Sequence, residues 1–200
     1  MLLLQKNLQM NVAIFASGNG TNAQRIIEYF SSDQQIKIVL VLSNKKDAFV
    51  LQRAQHLSVP TFCFTGYELK NTSIVLDKLI EFNIDFIVLA GFMIMIPESL
   101  IKLFPDKIIN IHPALLPKYG GKGMFGDKVH HAVIEAKEKE SGISIHYVNE
   151  KYDEGTIIFQ GKCEVTPNDT PETLAARIHG LEHKYYPEII EKVIKEKFFK

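Results

Sequence analysis

Short apolar runs alternate with amphipathic stretches through the first half of the chain. Val12–Ala16, Ile36–Leu42, Thr61–Phe64, Phe86–Leu89 and Lys107–His112 read as strands, several of them apolar on both faces. Between them, Asn22–Phe30 places Ile26, Ile27 and Phe30 on one side of a helix. Ala48–Leu57 reads as a second helix, with Asp47 placed to cap it. Asn71–Phe82 is a third, apolar at positions 75, 76, 79, 80 and 82, and Ser99–Phe104 a short fourth. This alternation predicts a parallel sheet with helices on both faces.

The second half has a different pattern. Residues 113–127 form a Pro- and Gly-rich loop with four glycines between 120 and 126. A helix follows over Lys128–Lys137. Ser141–Val148 and Thr156–Glu164 are longer strands that can pair as a hairpin around Asp153-Glu154-Gly155. Thr170 begins a capping pattern, with Thr173 and Leu174 in the first turn of a long amphipathic helix that runs to about Lys195. There is no repeat, low-complexity segment or linker. The fold class expected is α/β: one Rossmann-like open sheet, mostly parallel, with helices on both faces and an antiparallel C-terminal strand pair. Residues 10–200 form that domain. Residues 1–9 read as a disordered N-terminal extension, because Met10 stands two residues before the first strand and offers a second start.

One strand carries unusual chemistry. Side chains alternate along a strand, so Asn110 and His112 face the same way, roughly 7 Å apart. Ile109 and Ile111 face the other way, and Pro113 then ends the ladder. A carboxamide and an imidazole at a strand's carboxyl end stand where open α/β sheets keep their sites.

The first strand runs into Ser17-Gly18-Asn19-Gly20-Thr21-Asn22-Ala23, which opens a helix. Backbone amides at such a start suit a phosphate. The second strand ends Leu42-Ser43-Asn44-Lys45-Lys46, without the carboxylate that a dinucleotide ribose requires. The loop therefore fits a phosphate better than NAD, and a tight turn that binds nothing is the plain alternative.

Taken alone, Asp153 reads as a solvated turn aspartate. His146 could line the same cleft, though taken alone it reads as a satisfied, half-buried histidine, and His130 and His131 read as surface residues on a helix. His179-Gly180-Leu181-Glu182-His183 matches a zinc-protease pattern. No third ligand is marked out downstream, and Gly180 weakens that helix, so no metal is expected.

Bulk properties exclude little. Lys+Arg and Asp+Glu are both 23, so the formal charge is zero and gives no case for nucleic acid or an anionic membrane. The two cysteines, Cys63 and Cys163, lie far apart and suit a reduced, cytoplasmic protein.

Taken together, the chain from Met10 onward resembles the phosphoribosylglycinamide formyltransferases, a branch of the folate-dependent formyl transferases. The resemblance is carried by Ser17–Asn22, Ser43-Asn44-Lys45, Val88–Met93, Asn110–Pro117, Ser144–Val148, Asp153-Glu154-Gly155 and Glu182-His183. It implies a catalytic trio of Asn110, His112 and Asp153. It implies that Gly20, Thr21 and Asn22 hold the phosphate of glycinamide ribonucleotide. His179, Gly180, Leu181 and Glu182 would contact the same substrate, with Glu182 orienting its amine. Met93, Ile94, Met95 and Ile96, with Asn149, Glu150, Lys151, Tyr152 and Asp153, would line the pocket for 10-formyltetrahydrofolate. No metal is implied, and the partners are small molecules, with the protein a monomer or homodimer.

The chain departs from the family in a longer loop over Gly120–Gly126 and at two points on the folate side. Ile94 stands where an Arg is frequent, and Glu68-Leu69-Lys70-Asn71 stands where another is expected. Lys70 is the available substitute there, although an ammonium lacks the guanidinium's fork.

The implied chemistry is formyl transfer from nitrogen to nitrogen. Asn110 would donate to the oxyanion, His112, held cationic by Asp153, would donate a second hydrogen bond, and Asp153 with a water would relay protons. The rival readings are a formyltetrahydrofolate hydrolase, which uses water as acceptor and usually carries a regulatory domain, and a non-catalytic nucleotide-binding regulator. A methionyl-tRNA formyltransferase would need a further RNA-binding domain.

Overall fold

The computed structural model describes residues 9–199, so the expected extension lies outside the described residues except for Gln9. Seven strands form one sheet: β1 (Met10–Phe15), β2 (Ile36–Ser43), β3 (Thr61–Cys63), β4 (Phe86–Leu89), β5 (Ile108–His112), β6 (Glu140–Tyr147) and β7 (Ile157–Glu164). Their order is β3-β2-β1-β4-β5-β6-β7. Strands β1 to β5 pair in parallel, and β6 and β7 add to the edge antiparallel. Strand order reverses between β1 and β4, and their carboxyl ends leave a crevice there, as open α/β sheets do.

Seven helices cover the sheet: α1 (Thr21–Tyr29), α2 (Phe49–His56), α3 (Gly66–Asn71), α4 (Ile74–Glu81), α5 (Glu98–Leu103), α6 (Asp127–Glu135) and α7 (Pro171–Phe198). One buried cluster joins α1, α2, α6 and α7 to one face, through Ile26, Val50, Val129 and Ile190 among others. A second joins α3, α4 and α5 to the other face, through Leu69, Leu79 and Leu100. The sheet core is therefore apolar on both sides, which is why β1 and β4 read as continuous hydrophobic runs.

Two local expectations are corrected. Asp47 does not cap α2: Ala48 is the N-cap residue, and no side chain bonds there. The helix expected over Asn71–Phe82 is α4 alone, and α3 precedes it. Thr65 and Glu68 build a capping box that starts α3, with Thr65 N–H donating to Glu68 at 2.6 Å and Glu68 N–H to Thr65 at 3.2 Å. Thr72 then turns to an extended conformation and separates the two helices. The capping pattern at Thr170 does open α7, which extends past Pro187 to Phe198.

Candidate active site

Strand β5 delivers Asn110 and His112 to one side of a cleft of about 690 Å³ at the carboxyl ends of β1, β4 and β5. β6 runs antiparallel to β5, with His146 opposite Asn110 and Ser144 opposite His112. Cross-strand partners point to the same face, so His146 joins the site. Its Nδ1 donates to the Tyr147 carbonyl at 2.9 Å, which leaves Nε2 to accept from the Asn110 amide at 3.1 Å. That bond fixes which end of the Asn110 carboxamide is the donor, and the second amide hydrogen remains for the cleft.

Asp153 sits in the turn between β6 and β7 with φ 55°, a left-handed conformation that aspartate tolerates. The turn is tight. A Cβ on Gly155 would land on the Tyr147 carbonyl oxygen. Gly155→Ala is therefore expected to destabilise the protein by about 1–3 kcal/mol, as overpacking against rigid backbone does. An unchanged melting temperature would show that the turn yields.

The turn folds Asp153 back onto the strands. Its carboxylate oxygens lie 3.6 Å from His112 Nδ1 and 3.6 Å from His146 Nε2, and one accepts the Gly121 N–H at 2.9 Å. The solvated-turn reading of Asp153 fails because its side chain is only 13% exposed. Burial raises its pKa, but the His146 contact, His112 and the Gly121 N–H together hold it below the ordinary carboxylate value.

His112 is corrected in charge. Its Nε2 donates to the Tyr119 carbonyl at 2.7 Å while Nδ1 faces Asp153, so both nitrogens meet oxygen acceptors. That geometry suits an imidazolium. Burial nevertheless wins over Asp153 and Tyr119 and pushes the His112 pKa below the ordinary value. The imidazole is neutral near pH 7, poised to take a proton rather than held cationic.

The opposite wall is built from α1 and α7. Gly20 takes φ 79° at the N-cap of α1, and any Cβ there would collide with Val50. No side chain caps α1, so its first-turn amides are free. The Asn22 amide donates to Glu182 on α7 at 2.8 Å. Burial raises the Glu182 pKa, against the pull of Asn22 and His179. His179 and His183 stack on the same face of α7, 6.5 Å between ring centres.

Of the residues expected here, Gly20, Thr21, Asn22, His179 and Glu182 line the cleft, with Asn110, His112 and Asp153. Met93, Ile94, Met95, Ile96, Asn149, Lys151 and Tyr152 line it too. Ser17 braces this side, its hydroxyl accepting the Met93 N–H at 3.0 Å.

Four residues are not brought into the cleft wall. Gly180 and Leu181 follow His179 on α7, and the helical period turns them away: Gly180 is exposed and Leu181 packs against the core. Glu150 is exposed, and its charge acts on Lys102 of α5 instead. Lys70 lies exposed on α3, outside the cleft lining.

Further residues line the cleft: Gly18 and Asn19 of the glycine loop, Leu89–Phe92, His183, Gly121–Asp127, His130, and His146, which takes the cleft side of its two readings. His130, expected on the surface, is 3% exposed. His146 was legible through its register with Asn110, once β5 and β6 are known to pair. Nothing local in the sequence marks His130. Among the described residues, no group of three His, Cys, Asp or Glu side chains is arranged to hold a metal ion.

Burial also lowers the pKa of His130 and of His183. Unfolded, these imidazoles and His112 protonate near pH 6.5. Below that value the unfolded chain binds more protons than the fold, so stability falls as pH drops through 6.5 toward the folded values. Glu182 acts in the opposite sense, since its raised pKa removes stability as pH rises. Three imidazoles outweigh one carboxyl, and the melting temperature is expected to fall between pH 7 and 5. A flat or rising profile over that range would show that the buried histidines titrate normally.

The formyl transferase family model matches residues 10–190. The chain is 41% identical over 193 residues to the chloroplastic phosphoribosylglycinamide formyltransferase of Arabidopsis thaliana, covering 93% of this chain and 66%, just under two thirds, of that one. It is 36% identical to the phosphoribosylglycinamide formyltransferase of Bacillus subtilis, covering 91% of this chain and 93% of that one. The crystal structure of phosphoribosylglycinamide formyltransferase from Anaplasma phagocytophilum superposes with a TM-score of 0.86 at 34% identity, covering 94% of this chain and 89% of that chain. With its sheet and the cleft at the β1/β4 switch set beside these likenesses, the chain belongs to the formyl transferase family, in its phosphoribosylglycinamide formyltransferase branch.

Proposed function

We propose that the protein transfers the formyl group of 10-formyltetrahydrofolate to the primary amine of glycinamide ribonucleotide, in purine biosynthesis. The observation that carries the reading is the facing of two walls across one cleft. Asn110, His112 and Asp153 stand on one side. The uncapped start of α1 with Asn22 and Glu182 stands on the other. A phosphate fits the free amides of Gly20, Thr21 and Asn22, and places the rest of the acceptor toward Asn110. The largely apolar stretch Met93–Ile96, with Asn149, Lys151 and Tyr152, suits the flat ring of a folate, and the volume of the cleft is that of a small-molecule site.

The new N–C bond forms at the formyl carbon and the old one to the folate nitrogen breaks. The free amide hydrogen of Asn110 donates to the oxygen that becomes negative in between. Asp153, ionised at neutral pH, accepts the proton lost by the attacking amine through a water, and its place beside His112 lets that imidazole carry a proton to the leaving nitrogen. Glu182, fixed by Asn22, orients the acceptor. No step in this sequence calls on a metal. Two free cysteines support a reducing, cytoplasmic setting. No helix among the described residues is long and apolar enough to cross a membrane.

Purified protein incubated with 10-formyltetrahydrofolate should release tetrahydrofolate only when the ribonucleotide is added. Equal release without it would make water the acceptor and replace this reading with a hydrolase.

A further inference from the structure

We propose that His130 and His183, flanking His179, form a protonatable anion contact for the acceptor's phosphate, a proposal that rests on the acceptor reading above. Four buried side-chain polar atoms have no partner among the described residues: Asn22 Oδ1, His130 Nδ1, His183 Nε2 and Ser141 Oγ. The first three belong to residues that line the cleft, and all three stand on the α1–α6–α7 wall. Buried polar atoms are seldom left unpaired. Three on one wall mark a surface completed by a ligand.

The chemistry of that ligand follows from what the wall contains. The cleft residues supplied by α1, α6 and α7 include no Lys or Arg, and the lining cations Lys122 and Lys151 both stand in loops. Charge for a dianion must then come from the α1 amides and from imidazoles. His130 is nine-tenths buried and stands on α6, within electrostatic reach of His179. His179 in turn stacks on His183.

The groups around this file bear on its protonation from every side. Asp127 favours the cation at His130, while His131, His179 and His112 oppose it. Glu28 favours it at His183, while Arg25 and His179 oppose it. Burial adds to the opposition, so without a ligand His130 and His183 both lie below the ordinary imidazole value. A bound dianion reverses that balance, so binding takes up protons.

The test uses two probes that need no formyl transfer. Sulfate keeps its double charge across the range, unlike a phosphate ester, and ribose 5-phosphate resembles the acceptor. Calorimetry in buffers of different ionisation heat should show proton uptake with both. The Kd for sulfate should rise about tenfold between pH 6 and 8, the change expected when binding raises the pKa of one imidazole by about one unit. His130→Gln and His183→Gln should each weaken sulfate binding about three- to tenfold at pH 6 and flatten the pH slope, with the KM for the folate donor unchanged. If one variant melts early, the other still carries the test. Binding that is flat in pH in the wild type, variants that retain full proton uptake, or a shift confined to the donor KM would overturn the proposal. Loss of ribonucleotide-dependent transfer in the wild type, with these anion effects intact, would instead refute the acceptor reading alone.

Discussion

Asn110→Ala is expected to lower kcat by at least about 100-fold while leaving the KM of both substrates within a few-fold, which is the signature of losing a donor used only as negative charge develops. The structure gives this expectation its geometry. Asn110 stands on a strand rather than a loop, and its carboxamide is oriented by His146, which is itself held by the Tyr147 carbonyl. The donor is therefore aimed before substrate arrives and needs no reorganisation during the reaction. Alanine removes it and leaves His146 Nε2 without that partner. The melting temperature serves as the control, since a small shift there with a large fall in kcat separates chemistry from folding. Near-normal turnover would take Asn110 out of the catalytic role.

Asp153→Asn should be equally damaging, at about 100- to 10,000-fold in kcat, the range of a lost general acid–base group. The variant keeps shape and one acceptor, which can still meet the Gly121 N–H. It loses the negative charge that opposes burial at His112, so the His112 pKa should fall further below its ordinary value. In the wild type, activity should decline at low pH as Asp153 takes up a proton, well into the acid range because its pKa is lowered. That acid limb should vanish from the variant's residual activity. Wild-type rates would return Asp153 to the solvated turn that its local sequence suggests.

The two residues differ in how far they could be read in advance. Asn110 and His112 were legible as a pair because strand periodicity is local: two residues apart means one face, whatever the sheet does. The glycine loop that opens α1 was legible for a similar reason, since glycines between a strand and a helix start expose backbone amides. Asp153 carried no such mark. Its turn signal was correct, but only the pairing of β6 with both β5 and β7 brings that turn back over His112. The resemblance to a family supplied the role without supplying that reason.

Failures of local reading follow the same division. His130 looked like a surface residue because its helix is charged around it, yet packing of α6 against α7 buries it. Gly180, Leu181 and Glu150 sit next to site residues in sequence and still miss the cleft, because a helical turn or a loop points neighbours in different directions, while Lys70 lies on α3, away from every stretch that lines it.

By itself the sequence determined the class of fold, the order of most elements, the position of the glycine loop that opens α1 and the facing of Asn110 and His112. Each of these depends on periodicity and backbone preference over a few residues. The tertiary structure alone decided the approach of Asp153 to two histidines, the neutral state of His112, and the wall of imidazoles across the cleft. Those depend on burial and on contacts between residues dozens of positions apart, and no local pattern encodes how deeply a titratable group is removed from water.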